Sequence, residues 1–241
     1  MRPNQVPEAK KVSSQSEKEL IEVFEEAGKR HGYRMTRARY VALRDFKVRW
    51  TRVANRDWAD FEVSDYIKGA HPDLIASLAE SIFSKMENKT VPYSDALSKW
   101  ALSYDFIEEK QPIYISRCRN LTRTTAGRNK DLDESFDRLI AMGLVDAEPR
   151  PYMSWTMNEY MRKCGYSSSL MNVVVISSYF DGEEIPDYLL DYVVYGEWLR
   201  LSEGRKCFGY EIDDAYIKEM LDRFPMGESS KRLLEKFRMY L

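Results

Sequence analysis

Apolar residues recur three and four positions apart between Glu17 and Lys29, at Leu20, Ile21, Val23, Phe24 and Ala27, which predicts a first helix that stops at Gly32. Residues 1–15 ahead of it are polar and charged and read as a loose tail. From Arg39 to Trp50 the pattern changes to alternation, with Phe46, Val48 and Trp50 on one face and Lys47 and Arg49 on the other, the period of a strand. A polar turn at 54–57 and a second alternating run from Trp58 to Tyr66 complete a predicted hairpin. Helical spacing returns behind His71-Pro72-Asp73, at Leu74, Ile75, Leu78, Ile82 and Phe83, and residues 94–109 and 131–143 are predicted as two more helices, the second ending at Gly143.

Tyr152–Trp155 and Val173–Ser177 are the next strand candidates. Pro186 opens a long helix whose buried stripe is Leu189, Leu190, Val193, Val194, Trp198 and Leu201. Asp214–Arg223 and Ser229–Met239 are predicted as the last helices, separated by Pro225 and Gly227. No repeat and no long linker divides the chain, so one α+β domain over 16–241 is expected. Its first part, 16–145, holds the initial helix, the hairpin and further helices, and its second part, 150–241, holds a small mixed or antiparallel sheet with packed helices.

The chain has 241 residues and a net charge of −2, but its charges are unevenly placed. Lys29, Arg30, Arg34, Arg37, Arg39, Arg44, Lys47, Arg49, Arg52 and Arg56 face the single acid Asp45 in segment 29–56, and Asp181 to Asp222 is dominated by acids. Segment 111–130 contains no acid and carries Arg117, Arg119, Arg123 and Arg128 among hydroxyls and amides, a candidate anion-binding set. With the aromatics Tyr33, Tyr40, Phe46 and Trp50 interleaved in the first basic segment, the two stretches are also a candidate nucleic-acid surface; the alternatives are a solvated strand face, or basic and acidic halves that steady each other. The most apolar run, Leu170–Ile176, falls far short of the roughly 20 residues that span a bilayer, and the opening residues lack the apolar core of a signal, so a cytoplasmic protein is expected.

Nucleophilic chemistry finds little support. Only His31 and His71 are present, both precede every cysteine, and no G-x-S-x-G surrounds Ser167-Ser168-Ser169. Cys118, Cys164 and Cys207 form no CxxC pair and are expected as free buried thiols, and Thr125-Ala126-Gly127-Arg128 is a turn rather than a phosphate loop.

The segment from Val173 to Leu201, VVVISSYFDGEEIPDYLLDYVVYGEWLRL, resembles the core of the SprT/YgjP-like zincin metallopeptidases, and their archaeal members in particular. Ile176-Ser177, Phe180-Asp181, Ile185-Pro186-Asp187-Tyr188 and Leu190-Asp191-Tyr192-Val193 carry the likeness. Ser154-Trp155-Thr156 and Cys164-Gly165-Tyr166 extend it upstream, and Asp222-Arg223-Phe224-Pro225 extends it downstream. The resemblance implies a zincin-like fold, and a helix that in the family presents two histidines one turn apart to zinc, with a glutamate between them as general base.

Here those places hold Gly196, Glu197 and Arg200, and the third ligand position falls on Asp213, with Asp214 beside it. Only the glutamate remains, so the expectation is a pseudo-peptidase without a metal cofactor that binds a protein or peptide partner. Arg200 is expected either to stand near the former zinc position and bridge Glu197 and Asp213, or to be a surface charge near the end of the helix. The alternatives are a hydrolase using a carboxylate-bound metal at Glu197, Asp213, Asp214 and Glu211, with Cys207 as a conceivable thiolate ligand, or nucleic-acid binding through 29–56 and 111–130. Gly196 poses a question of its own, because a glycine within a helix costs about 1 kcal/mol relative to alanine.

Overall fold

The structure, a computed structural model, describes residues 8–89, 91–160, 162–206, 208 and 212–241. The expectation of an α+β protein with small mixed sheets and packed helices holds: among the described residues there are eight α-helices and two three-stranded mixed sheets. Contacts gather into two compact units, Met1–Ala101 and Leu102–Leu241, each with its own apolar core.

The first unit comprises α1 (Glu8–Arg30), β1 (Met35–Val41), β2 (Val48–Arg52), β3 (Trp58–Ser64), α2 (Pro72–Met86) and α3 (Asp95–Ala101). α1 begins ahead of the predicted Glu17, so residues 8–15 of the expected tail are helical, and residues 1–7 lie outside the described residues. The single alternating run expected from Arg39 to Trp50 is the end of one strand and most of another. β3 is central, parallel to β1 and antiparallel to β2, which bears out the β2–β3 hairpin. Leu20 and Phe24 of α1 and Ile82 and Phe83 of α2 close on Phe61, with Phe24 and Phe83 rings 4.9 and 5.0 Å from it. Trp50 pairs with buried Phe61 and so shares its face, as the alternation predicts, yet it is 41% exposed on an edge strand with one neighbour.

The second unit comprises α4 (Tyr104–Arg117), α5 (Leu132–Ala141), β4 (Tyr152–Trp155), β5 (Gly165–Ser168), β6 (Val173–Ile176), α6 (Asp187–Lys206), α7 (Asp214–Asp222) and α8 (Gly227–Phe237). The helix expected over 94–109 is two helices. Ser103 starts the second by accepting a hydrogen bond from the Phe106 N–H, and that helix continues through Pro112 into the basic segment. β6 is central, parallel to β4 and antiparallel to β5, and all four of its valine and isoleucine residues are fully buried. A 3₁₀ turn over Ser178–Asp181 joins β6 toward α6, which packs on β5, β6 and α5 and is buried along most of its length.

Candidate functional site

Gly196 lies where α6 meets the last residues of the chain. Arg238 takes the left-handed conformation after α8 and turns the chain so that Tyr240 runs parallel beside Lys163. The Tyr240 N–H donates to the Arg162 carbonyl at 2.6 Å and the Cys164 N–H donates to the Tyr240 carbonyl at 2.9 Å. This pairing seats Leu241 against the helix backbone. A β-carbon on Gly196 would stand 2.3 Å from Leu241 Cδ2, closer than carbon atoms approach, so the glycine is what permits the contact.

The neighbouring expectation about Arg200 is corrected. Its guanidinium donates to the Leu241 main-chain oxygen at 3.0 Å and pairs with Asp214 at 3.3 Å, so it bridges those two and not Glu197 and Asp213. Asp213 turns its carboxylate back on its own helix, accepting from the N–H groups of Ala215 and Tyr216 as the cap of α7. That cap brings Asp214 to the face of α6 that Gly196 and Arg200 share.

Glu197 is 3% exposed, and its Oε2 has no hydrogen-bond partner. Burial pushes its carboxyl up to about 7, while Arg200, a hydrogen bond with Ser167, and Lys163 pull the other way without restoring the ordinary value. Cys164 is fully buried nearby, and burial, reinforced by Glu197, drives its thiol far above the ordinary range, so it stays protonated.

The zinc that the resemblance implies does not fit these residues. One ligand position has no side chain and is covered by Leu241, the next is a cation, and the third is a carboxylate engaged in capping. Zinc sites of peptidases need nitrogen or sulfur donors and an open position. Among the described residues no three His, Cys, Asp or Glu side chains gather to hold a metal, and Glu211 and Cys207 lie outside them. His71 caps α2 through its ring. His31 lies between Glu80 (3.0 Å) and Glu87 (3.5 Å) and stacks on Phe83.

In the second candidate region, 111–130, main-chain N–H groups rather than the arginine side chains meet a carboxylate of the chain itself. The N–H groups of Arg128, Asn129 and Lys130 converge on the Asp181 carboxylate at 2.6, 3.0 and 3.0 Å. Gly127 lets the carboxylate in, since a β-carbon there would stand 2.3 Å from Asp181 Oδ1. Arg119, Arg123 and Arg128 extend their side chains to solvent and Arg117 is half-buried. Asp181 forms part of the wall of a polar cleft of about 970 Å³ beyond the carboxyl ends of β4 and β6, with Thr122, Asn158 and Ser178 also in the wall. In the first unit the basic segment finds its acids close by: Glu62 joins Arg39 and Arg49, Asp57 meets Arg34, Glu80 meets Arg30, and Glu87 meets Arg56.

Sequence reasoning missed Leu241, Ser167 and the role of Asp181; the only signals were the two glycines, 196 and 127, which mark close approach without naming what approaches. No family model, curated protein or solved structure matches the chain. No helix of the described residues is long and apolar enough to cross a membrane.

Proposed function

We propose that the protein is a non-catalytic binding or assembly protein on a zincin-like frame of the SprT/YgjP kind, a pseudo-peptidase. The order of strand, turn and helix from Val173 to Leu201, with the helix packed on a mixed sheet, agrees with that frame. The observation that carries the functional reading is the seat of Leu241 on Gly196, which puts an aliphatic side chain where the resemblance calls for a metal ligand. Arg200 and Asp213 support it, since each is held in a contact that a ligand could not keep.

One observation favours a second reading, a metal-dependent hydrolase with Glu197 as base: a buried carboxylate with an unpartnered oxygen, titrating near neutrality, has the properties of a general base. Elemental analysis separates the two, after the protein has been incubated with zinc, manganese and calcium and the excess removed. The pseudo-peptidase reading expects no metal at protein stoichiometry and no cleavage of an unstructured protein such as casein. One metal per chain that is lost in Glu197→Ala, with cleavage lost alongside it, would replace that reading with the hydrolase.

A further inference from the structure

The segment that covers Gly196 is held as a bound peptide is held. Its main chain pairs in extended form with residues 162–164, one aliphatic side chain enters a seat floored by backbone, and an arginine receives the oxygen that follows. These are the elements of strand addition at a sheet edge, in which main-chain hydrogen bonds give affinity and a side-chain seat gives selectivity. A second, independent observation lies at the next residue of α6, beside the strand that follows residues 162–164. Glu197 is almost wholly buried beside Ser167, within the fields of Lys163 and Arg200, and one of its oxygens has nothing to accept from. Unpartnered buried oxygens are rare in folded proteins, and this one lies one residue along α6 from the glycine that seats Leu241.

We propose that the groove formed by residues 162–164 and the Gly196 face of α6 is a docking site for an extended peptide segment carrying a branched aliphatic residue, and that Tyr240 and Leu241 are its exchangeable internal occupant. The proposal rests on the binding-protein reading above and names its partner class. The chemistry of the groove defines that partner: a main-chain N–H for the Arg162 carbonyl, a carbonyl for the Cys164 N–H, a leucine-like side chain for Gly196, and an oxygen for Arg200. Residues 239–241 offer all four from the same chain, and therefore at high effective concentration, so a partner segment must outcompete them or arrive when they are displaced. Tyr240 is 64% exposed while it makes these bonds, so the occupant is open to solvent along its outer side.

The test uses the full chain and a fluorescent peptide with the sequence of residues 235–241. Tyr240→Pro removes the N–H that reaches Arg162, and combining it with Leu241→Ser empties the seat. Hydrogen exchange then reads the Cys164 amide, whose acceptor is the Tyr240 carbonyl. In the double variant this amide should lose protection, the peptide should bind at least about ten-fold more tightly than to the parent, and its binding should restore the protection. Adding Arg200→Gln to the double variant should weaken the peptide about ten-fold, as expected for loss of a charged hydrogen bond, and serves where Gly196→Leu, which fills the seat, does not fold.

A Cys164 amide that stays protected in the double variant overturns the proposal, and so does a deprotected groove that takes up no peptide at millimolar concentration. Equal binding with and without Arg200 overturns the assigned geometry. If the opened groove binds the peptide and also cleaves it, the docking site stands and the non-catalytic reading falls.

Discussion

Asp191 and Glu197 lie on the same helix, less than two turns apart, and are almost equally buried, 4% and 3% exposed. Their surroundings differ completely. Asp191 receives the Ser135 hydroxyl at 2.6 Å and the forked guanidinium of Arg138 at 2.7 and 2.9 Å, so α5 answers the charge that α6 buries. Glu197 has Ser167 on one side and an unpartnered oxygen on the other, and Arg200, the nearest cation in sequence, is occupied with Leu241 and Asp214. One carboxylate fastens two helices together, and the other is kept out of water with its bonding incomplete. The difference teaches that equal burial on one helix does not bring equal partners: α5 answers Asp191, and nothing among the described residues completes the bonding of Glu197.

The comparison breaks most visibly at Arg138. Arg138→Met leaves Asp191 as a buried carboxylate without its cation, which should cost about 3–5 kcal/mol at neutral pH, and urea unfolding measures it. A loss below about 1 kcal/mol would mean that water reaches Asp191 and that the two ends of α6 are not the opposites described. At the other end the sign reverses. The carboxyl of Glu197 is raised from 4.5 to about 7 on folding, so the folded chain holds that proton more tightly than the unfolded chain does. Ionisation therefore destabilises the fold, progressively as pH rises from about 4.5 to about 7 and fully above that. Glu197→Gln should be more stable than the parent by up to about 3 kcal/mol at pH 8 and indistinguishable from it at pH 4. A stability difference between the parent and Glu197→Gln that does not change with pH would show that the second oxygen of Glu197 has found a donor.

The sequence announced α6 as a whole and left its two ends undistinguished. Leu189, Leu190, Val193, Val194 and Leu201, with Pro186 ahead of them, fix the helix and its burial, because apolar periodicity is a local property. β5 escaped notice because Gly165-Tyr166-Ser167-Ser168 has no apolar alternation; it becomes a strand by pairing with β6, and such tertiary pairing outweighs propensity. The partner of Arg200 depends on how α7 and residues 239–241 return to the helix, which local spacing does not encode. Across 111–130 the arginines and hydroxyls pointed to anion binding, yet the groups that receive Asp181 are main-chain N–H donors, which every non-proline residue carries. Gly196 held the most information of any single position: it is a helix glycine whose cost of about 1 kcal/mol demands a close neighbour. The neighbour, Leu241, is too distant in sequence to be read from it.

Asp213 gives the smallest effect and the sharpest discrimination between a residual ligand and a structural residue. It occupies the third ligand position of the resemblance, and its carboxylate accepts from two N–H groups at the start of α7. If capping is its role, Asp213→Ala should cost about 1 kcal/mol, and Asp213→Asn, which keeps an oxygen acceptor at the cap, should cost only a few tenths. A metal ligand obeys a different rule, because hard cations bind through charged oxygens and the amide forfeits that charge. Asp213→Asn would then lose divalent-ion binding outright while its stability without metal stayed that of the parent. Unfolding of the parent and both variants, each with and without 1 mM manganese, separates the two: asparagine groups with the parent if Asp213 caps a helix, and with alanine in the metal-containing series if it holds an ion. The first grouping leaves Glu197, among the described residues, as the one buried group at this end of α6 whose bonding the fold does not complete.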